Sequence, residues 1–408
     1  SIVMLVSIPF SWMYLLPNSF VDFSKSILYS LGFSSNFYFW YSDQLYGAEN
    51  GLFKPFLHTW SLSVEEQYYI LFPIVLLVTF KYFKKFLIHI LILGFILSLG
   101  LADWGSKNHP SFNFYVLPTR SWELLAGSIL AYFEILFGNR SKNKILNGVL
   151  PTIGILLIGH SIIFFNDEMF HPSFYTFSPV FGACLIIWFS NKDEIITKIL
   201  STKLFVGVGL ISYSLYLWHY PIFAFARISE FAQGDIIKKL FLGLITIILS
   251  IITYYLIEKP FRNKNFKFKN ISKILFFIIL VILTTNFYIV YKNGKLGLHY
   301  LNYKNIYLNN NIYNEELRNE SWQYLQDLNF QEFKSNEKIK ILIVGDSHAK
   351  DLFNAFIQNQ DLFKKYEFLR YGEDKGNNNP INFTNKTTNK DLVKFGDSQI
   401  FKQSDVIL

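Results

Sequence analysis

The sequence predicts a polytopic α-helical membrane bundle followed by an incomplete external α/β domain, and three observations carry that expectation. Hydrophobic residues make up 51% of the 408 and charged residues only 17%, a balance outside the range of ordinary soluble domains. The apolar residues gather into long runs such as Leu71 to Phe80 and Lys273 to Val290, which with their flanks approach the roughly 20 residues a bilayer crossing needs. After Lys292 the composition turns to Asn, Lys, Asp and Glu, and only short apolar runs remain.

Taken in order, the expected spans lie near Ile2 to Leu16, Leu62 to Phe80, Phe86 to Ala102, Ser121 to Phe137, Ile145 to Phe165, Phe174 to Phe189, Leu204 to Ala226, Ile236 to Ile257 and Ile274 to Tyr291. Ser26 to Trp40 is apolar enough to resemble a further span and is read as a re-entrant or surface piece. Basic residues fall in alternate loops: Lys81, Lys84 and Lys85; Arg140, Lys142 and Lys144; Lys192, Lys198 and Lys203; then Lys259, Arg262, Lys264, Lys267 and Lys269. Such loops are retained in the cytoplasm. Lys238 and Lys239, near an outer helix end, are the exceptions, and their long stems can snorkel.

The net charge of +8 does not point to nucleic acid, because the basic residues sit between spans where they set orientation. Cys184 is the only cysteine, so neither a disulfide nor a cysteine metal site forms within this chain. The chain opens at Ser1 inside an apolar run without a signal-peptide pattern, and closes at Ser404 to Leu408 on what reads as the start of a strand. Both ends are therefore expected to be truncated.

Past the last span, Tyr300 to Asn319 reads as an Asn-rich linker. Lys338 to Val344 is a compact β-branched run ending at Gly345, and Ala349 to Ile357 has helical periodicity. Strand, tight turn and helix in that order open an α/β domain.

Five stretches are candidates for chemistry. His58 to Tyr69 is a dense polar cluster beside a span; Ser61 or Ser63 could cap the helix, with Glu65 and Glu66 in its first turns. Capping leaves His58 unexplained, and an imidazole next to two carboxylates suits proton transfer. Arg120 and Glu123 lie three residues apart on one helix face, while Ser212, Tyr213, Ser214, Tyr216 and His219 share another span. Polar groups at such depth face the bundle interior, whether as interhelical hydrogen bonds, a structural ion pair or a site. Ile257 to Arg262 has a plainer reading, a helix stopped at Pro260. Finally, Gly345-Asp346-Ser347-His348 places a serine on a strand-to-helix turn, where it is exposed and a helix N-terminus can help hold an oxyanion. His348 is too close in sequence to Ser347 to serve as its base.

Together the stretches Leu57 to Tyr68, Ser121 to Gly127, Ile211 to His219, Ile257 to Arg262 and Gly345 to His348 resemble the acyltransferase-3 family of membrane O-acyltransferases, in the form carrying a fused C-terminal SGNH-hydrolase-like domain. The resemblance implies an acyltransferase domain over residues 1–262, a linking transmembrane helix over 263–291, a linker over 292–337 and a partial SGNH-like domain over 338–408. It implies transfer of an acyl group, acetyl above all, from cytoplasmic acetyl-CoA to a cell-surface glycan such as peptidoglycan or lipopolysaccharide O-antigen, across a bacterial inner membrane. No bound cofactor or metal is implied; the partners are the acyl-CoA donor, the glycan acceptor and the lipid bilayer.

On that reading Ser347, His58 and Glu66 are catalytic, and Glu65, Arg120, Glu123, Ser212, Tyr213 and His219 bind substrate. The oxyanion site is built from Ser347 and Gly372. The family's first helix carries a basic residue and a histidine that this chain lacks, and its SGNH pattern also uses an asparagine and a late Asp-x-x-His not found here, so the 408 residues alone are expected to be inactive. An esterase on a membrane anchor and a transporter or lipid-binding bundle without chemistry are the competing readings.

Overall fold

A computed structural model describes residues 2–45, 50–138, 141, 143–166, 169–192, 194–232, 234–262, 268–302, 333, 335, 337–344, 347–371 and 396–408. The chain forms two compact units, Ser1–Tyr303 and Lys304–Leu408.

In the first unit the helices are α1 (Ile2–Tyr14), α2 (Pro17–Leu31), α3 (Ser35–Ser42), α4 (Thr59–Tyr82), α5 (Leu87–Asn108), α6 (Pro110–Tyr115), α7 (Leu117–Phe137), α8 (Lys144–Phe164), α9 (Phe177–Phe189), α10 (Ile195–Leu200), α11 (Lys203–Ile228), α12 (Ile236–Thr253), α13 (Lys259–Phe261) and α14 (Phe268–Tyr291). Every expected span falls on a helix. Among the described residues five are long and apolar enough to cross a bilayer: α4, α5 with the turn before it, α8, α12 run on through α13, and α14 from Ile271. The chain is an integral membrane protein. The stretches containing α1 and α9 are shorter. α7 and α11 have the length, at 21 and 26 residues, but give part of it to Arg120 and Glu123 and to the polar run from Ser212 to His219.

The piece around Ser26 to Trp40 is two helices, α2 and α3, broken at Gly32 to Ser34 where Phe33 takes a left-handed φ of 53°. The α4 end holds that break. Ser63 Oγ pairs with Ser35 Oγ at 2.7 Å, Thr59 Oγ1 with Ser30 Oγ at 2.8 Å, and Gln67 Nε2 donates to the Phe33 carbonyl at 2.8 Å and to Asn36 Oδ1 at 2.9 Å.

Hydrogen bonds also gather the helix ends remote from the basic loops. Trp12 Nε1 donates to the Leu296 carbonyl at 2.7 Å, Tyr220 Oη to that of Gly51 at 3.0 Å, and Asn113 Nδ2 to that of Pro172 at 3.3 Å. Beneath α2 and α3 a core of Leu15, Phe20, Phe23, Phe39, Phe56 and Trp218 joins α1, α2, α3, α11 and the expected linking transmembrane helix, α14, through Ile282 and Ile289. The bend after α14 needs Gly294: its φ is +69°, and a Cβ there would lie 2.1 Å from the Pro17 carbonyl oxygen. Elsewhere α8 and α9 cross at Gly154 and Gly182, where a Cβ on the first would meet the carbonyl oxygen of the second at 2.5 Å. Small residues at such crossings let helix backbones approach in a medium that supplies no hydrophobic drive between helices.

α12 does not end at Thr253. Pro260 has no N–H to return to the carbonyl four residues back, and its ring crowds that carbonyl. Tyr254–Glu258 accordingly widens into a π turn, closed by the Lys259 N–H bonding the Tyr254 carbonyl, before α13 resumes.

The second unit holds a parallel sheet in the order β2-β1-β3, with β1 Ile339–Val344, β2 Tyr366–Tyr371 and β3 Val406–Ile407. Ile341 pairs with Phe368 on one side and with Val406 on the other. Strand residues alternate faces: Ile341 and Ile343 pack with Phe353 of α15 (Ser347–Gln358), while Leu342 packs with Phe333. The strand and helix expected from periodicity are both present.

Candidate functional site

Four of the sequence stretches meet inside the first unit, because α4, α7, α11 and the π turn are neighbours. α4 and α7 run parallel in fixed register. The Arg120 guanidinium lies 5.1 Å from the Trp60 ring centre, and Tyr68 Oη pairs with Ser128 Oγ at 2.9 Å. Both pairs are offset by the same number of residues, so Glu65 comes level with the Glu123 region and within electrostatic reach of it and of Glu66. Arg120 Nη1 bonds Glu123 Oε1 at 3.0 Å, its Nε donates to the Phe114 carbonyl at 3.3 Å, and Phe114 lies 5.0 Å beneath the guanidinium. The arginine is an ion pair and a stacked cation at once.

α11 runs antiparallel to α4. Tyr216 Oη donates to the His58 carbonyl at 2.5 Å and accepts from Ser61 Oγ at 2.6 Å. One turn along, His219 Nδ1 contacts the Tyr216 carbonyl at 2.7 Å. His58 is enclosed by rings: Tyr220 stacked at 5.3 Å, and Tyr216 and His219 edge-on at 5.3 and 5.6 Å. It is 5% exposed, and neither ring nitrogen has a hydrogen-bond partner among the described residues. Burial, with His219 adding to it, pushes the His58 imidazole down to about 3. It is therefore neutral at physiological pH, with one ring nitrogen carrying hydrogen and the other free to accept a hydrogen bond.

The capping expectation is corrected. α4 starts at Thr59, ahead of both serines, so Ser61 turns to Tyr216 and Ser63 to Ser35, and neither caps it; no acidic residue falls in the first turn. The expected pairing of His58 with the carboxylates is also corrected. Eight residues of helix place Glu66 about 12 Å along the axis from His58, and hydroxyls fill the interval. Tyr213 lies within electrostatic reach of Glu258, Glu66 and Glu65. Ser212 falls outside the cluster: it is exposed and bonds its own helix at the Gly209 carbonyl, 2.8 Å away.

Its neighbour in the pattern is the buried one. Ser214 Oγ donates to Glu258 Oε1 from a fully enclosed position, and the π turn is what presents that carboxylate to it. The second oxygen, Oε2, is buried without a hydrogen bond, with Arg262 Nη2 3.6 Å away. Tyr216, Ser61, Ser214 and Glu258 fell within the candidate stretches but were given no site role from sequence; a buried serine aligned with a glutamate some forty residues later leaves no local signal.

In the second unit Ser347 is the first residue of α15, directly past β1, as the strand-to-helix reading requires. Gly345, Asp346 and Gly372, and the side chains of Ser347 and His348, lie outside the described residues.

A helical bundle with an imidazole, hydroxyls and carboxylates gathered on facing helices defines a membrane protein with an internal polar site. The profile of the acyltransferase-3 family, described as an acyltransferase domain, matches residues 12–255, and the chain belongs to that family. The peptidoglycan O-acetyltransferase OatA of Listeria monocytogenes is 29% identical over 281 residues, covering 65% of this chain and 44% of the relative. The O-acetyltransferase OatA of Staphylococcus aureus is 32% identical over 268 residues, covering 62% and 43%. A second Staphylococcus aureus protein, provisionally named an O-acetyltransferase, is 33% identical over 303 residues, covering 70% and 49%. The chain thus spans about half the length of the curated relatives it matches. No solved structure matches it.

Proposed function

We propose that this chain is the bundle of a membrane O-acetyltransferase that takes acetyl from cytoplasmic acetyl-CoA and delivers it to a cell-wall glycan, of the peptidoglycan type, on the opposite side of a bacterial inner membrane. The observation that supports this most directly is the convergence on Tyr216. One phenol links the His58 carbonyl and Ser61 of the first stretch to the α11 stretch, alongside the carboxylates of Glu65 and Glu66. In this reading His58 acts at the end remote from the basic loops, and Glu66 serves deeper in the bundle. Glu65, Arg120, Glu123, Tyr213 and His219 hold substrate. The basic loops are cytoplasmic, and the second unit is an SGNH-like domain in which Ser347 takes the acetyl group as an ester before a sugar hydroxyl displaces it.

The test is mass spectrometry of cell-wall glycans from cells with and without the full-length gene. The reading expects a mass difference of one acetyl group, lost in His58→Ala and Glu66→Gln variants at unchanged membrane abundance. Identical glycans in both strains would remove it.

A further inference from the structure

None of the roles above uses Asp43, which closes the C-terminal end of α3 with its backbone N–H on the Phe39 carbonyl at 3.0 Å. Its carboxylate is divided between two partners. Oδ1 accepts from Lys54 Nζ at 2.5 Å and Oδ2 from Tyr115 Oη at 2.8 Å. Lys54 reaches Ser42 Oγ as well, at 3.1 Å, so its ammonium is pinned to the end of α3 at two points.

Each partner leads to one half of the membrane site. Lys54 lies four residues before His58, and the chain between them is stiff: the Leu57 N–H bonds the Lys54 carbonyl at 3.0 Å, and the Thr59 N–H bonds that of Phe56 at 3.0 Å as α4 begins. Tyr115, 7% exposed, ends α6. Its ring meets Trp60 edge-on at 5.6 Å, and Trp60 and Phe114 are the two rings against the Arg120 guanidinium.

We infer that Asp43 is a positioning residue: one carboxylate ties the segment that delivers His58 to the aromatic bed that carries Arg120. This rests on the roles proposed above for His58 and Arg120, neither of which Asp43 itself bonds. Neither ring nitrogen of His58 bonds a described residue, so packing and the backbone alone aim the imidazole. Lys54 holds that backbone from the α3 side, as Tyr216 holds it from the α11 side. Hydrogen bonds between charged groups are the stronger kind, and a displacement of about 1 Å at a reacting group can cost roughly a hundredfold in rate.

The test uses full-length protein and two readouts. One is glycan acetylation in cells; the other is the rate at which diethyl pyrocarbonate modifies His58 in detergent well below the thermal midpoint, with exposed His160 of α8 as the reference. Asp43→Ala and Lys54→Met are each expected to speed His58 modification at least tenfold with His160 unchanged, and to lower acetylation at least tenfold at normal membrane abundance. Tyr115→Phe, which cuts only the α6 arm, is expected to leave His58 protected while lowering acetylation. Exchanging the charges, Asp43→Lys with Lys54→Asp, is expected to restore protection to within threefold of wild type. Wild-type protection of His58 in both Asp43→Ala and Lys54→Met overturns the inference. So does an equal rise at His58 and His160 with a lowered thermal midpoint, which marks a purely structural ion pair, or undiminished acetylation in a variant whose His58 has become reactive. Failure of the acetyltransferase reading looks different: wild-type glycans then carry no gene-dependent acetyl group, while His58 modification still responds to Asp43→Ala.

Discussion

Tyr216 donates its phenolic hydrogen to the backbone carbonyl of His58, 2.5 Å away and 158 residues distant in sequence. That bond fixes the distance between α11 and the start of α4, and with it the ring enclosure of His58. Tyr216→Phe removes the phenol from the Ser61–Tyr216–His58 chain while keeping the ring packing. A net hydrogen bond contributes about 1 kcal/mol, so membrane abundance should stay near wild type. Glycan acetylation by the full-length protein should fall at least tenfold. Wild-type acetylation in the phenylalanine variant would reduce the bond to a packing detail.

The His58 environment carries a pH signature. Its folded-state value is pushed down to about 3 from an ordinary 6.5, so between those values the unfolded chain binds the extra proton. The contribution to stability is complete above pH 6.5 and is lost as pH falls toward 3. At pH 5 the loss amounts to about 2 kcal/mol relative to pH 8. His58→Phe should flatten that part of the curve when thermal midpoints are compared across pH 4.5 to 8 in detergent. An unchanged slope would mean that another group sets it.

Ser214 and Glu258 should respond asymmetrically. Ser214→Ala strips a hydrogen bond from a carboxylate whose other oxygen has none and only Arg262 nearby at 3.6 Å, and bonds to charged groups contribute about 2 kcal/mol. Glu258→Gln keeps an acceptor for the serine and removes the charge, so it should cost less than half as much. Equal losses in thermal midpoint would argue that the charge itself, and not only an acceptor of the right shape, sustains the pair.

Sidedness is open to labelling. In a Cys184→Ser background, a cysteine at 347 should react with an impermeant maleimide in intact spheroplasts, and one at 264 only after permeabilisation. The reverse pattern would invert the proposed direction of transfer.

Ser347 separates chemistry from capping. Were its hydroxyl only a helix cap, Ser347→Ala would cost about 1 kcal/mol and leave acetylation intact. The proposed ester intermediate predicts that acetylation is abolished in a folded variant, and that a sulfonyl fluoride adduct forms on wild type alone. Retained acetylation would leave the bundle as the sole transferase.

The fold was legible where composition alone decides it. Apolar runs placed a described helix at every expected span, and the Gly32 to Ser34 region divided the one segment that could have been miscounted. Side-chain direction was harder. Ser212 and Ser214 are two residues apart and so lie on different faces of α11, and nothing local says which face is covered until α12 is placed against it. The start of α4 misled for a related reason: Ser61 and Ser63 have the chemistry of caps, but partners on α11 and α3 took their hydroxyls. Glu258 was visible only as part of a helix stop, because a π turn is invisible to a periodicity of 3.6.

That turn has a consequence for chain length. A π turn is an α-helix with one residue too many, and each residue advances a helix by about 100°. Deleting any single residue between Tyr254 and Leu256 would let α12 run straight into Lys259 as ordinary helix. Both flanks would nearly keep their seats, since the i→i+5 bond of the wide turn would become an ordinary i→i+4 bond, and Glu258 would stay on the Ser214 side. The spare residue is therefore slack in the chain: a one-codon deletion there would be taken up inside the turn and leave the carboxylate on its serine.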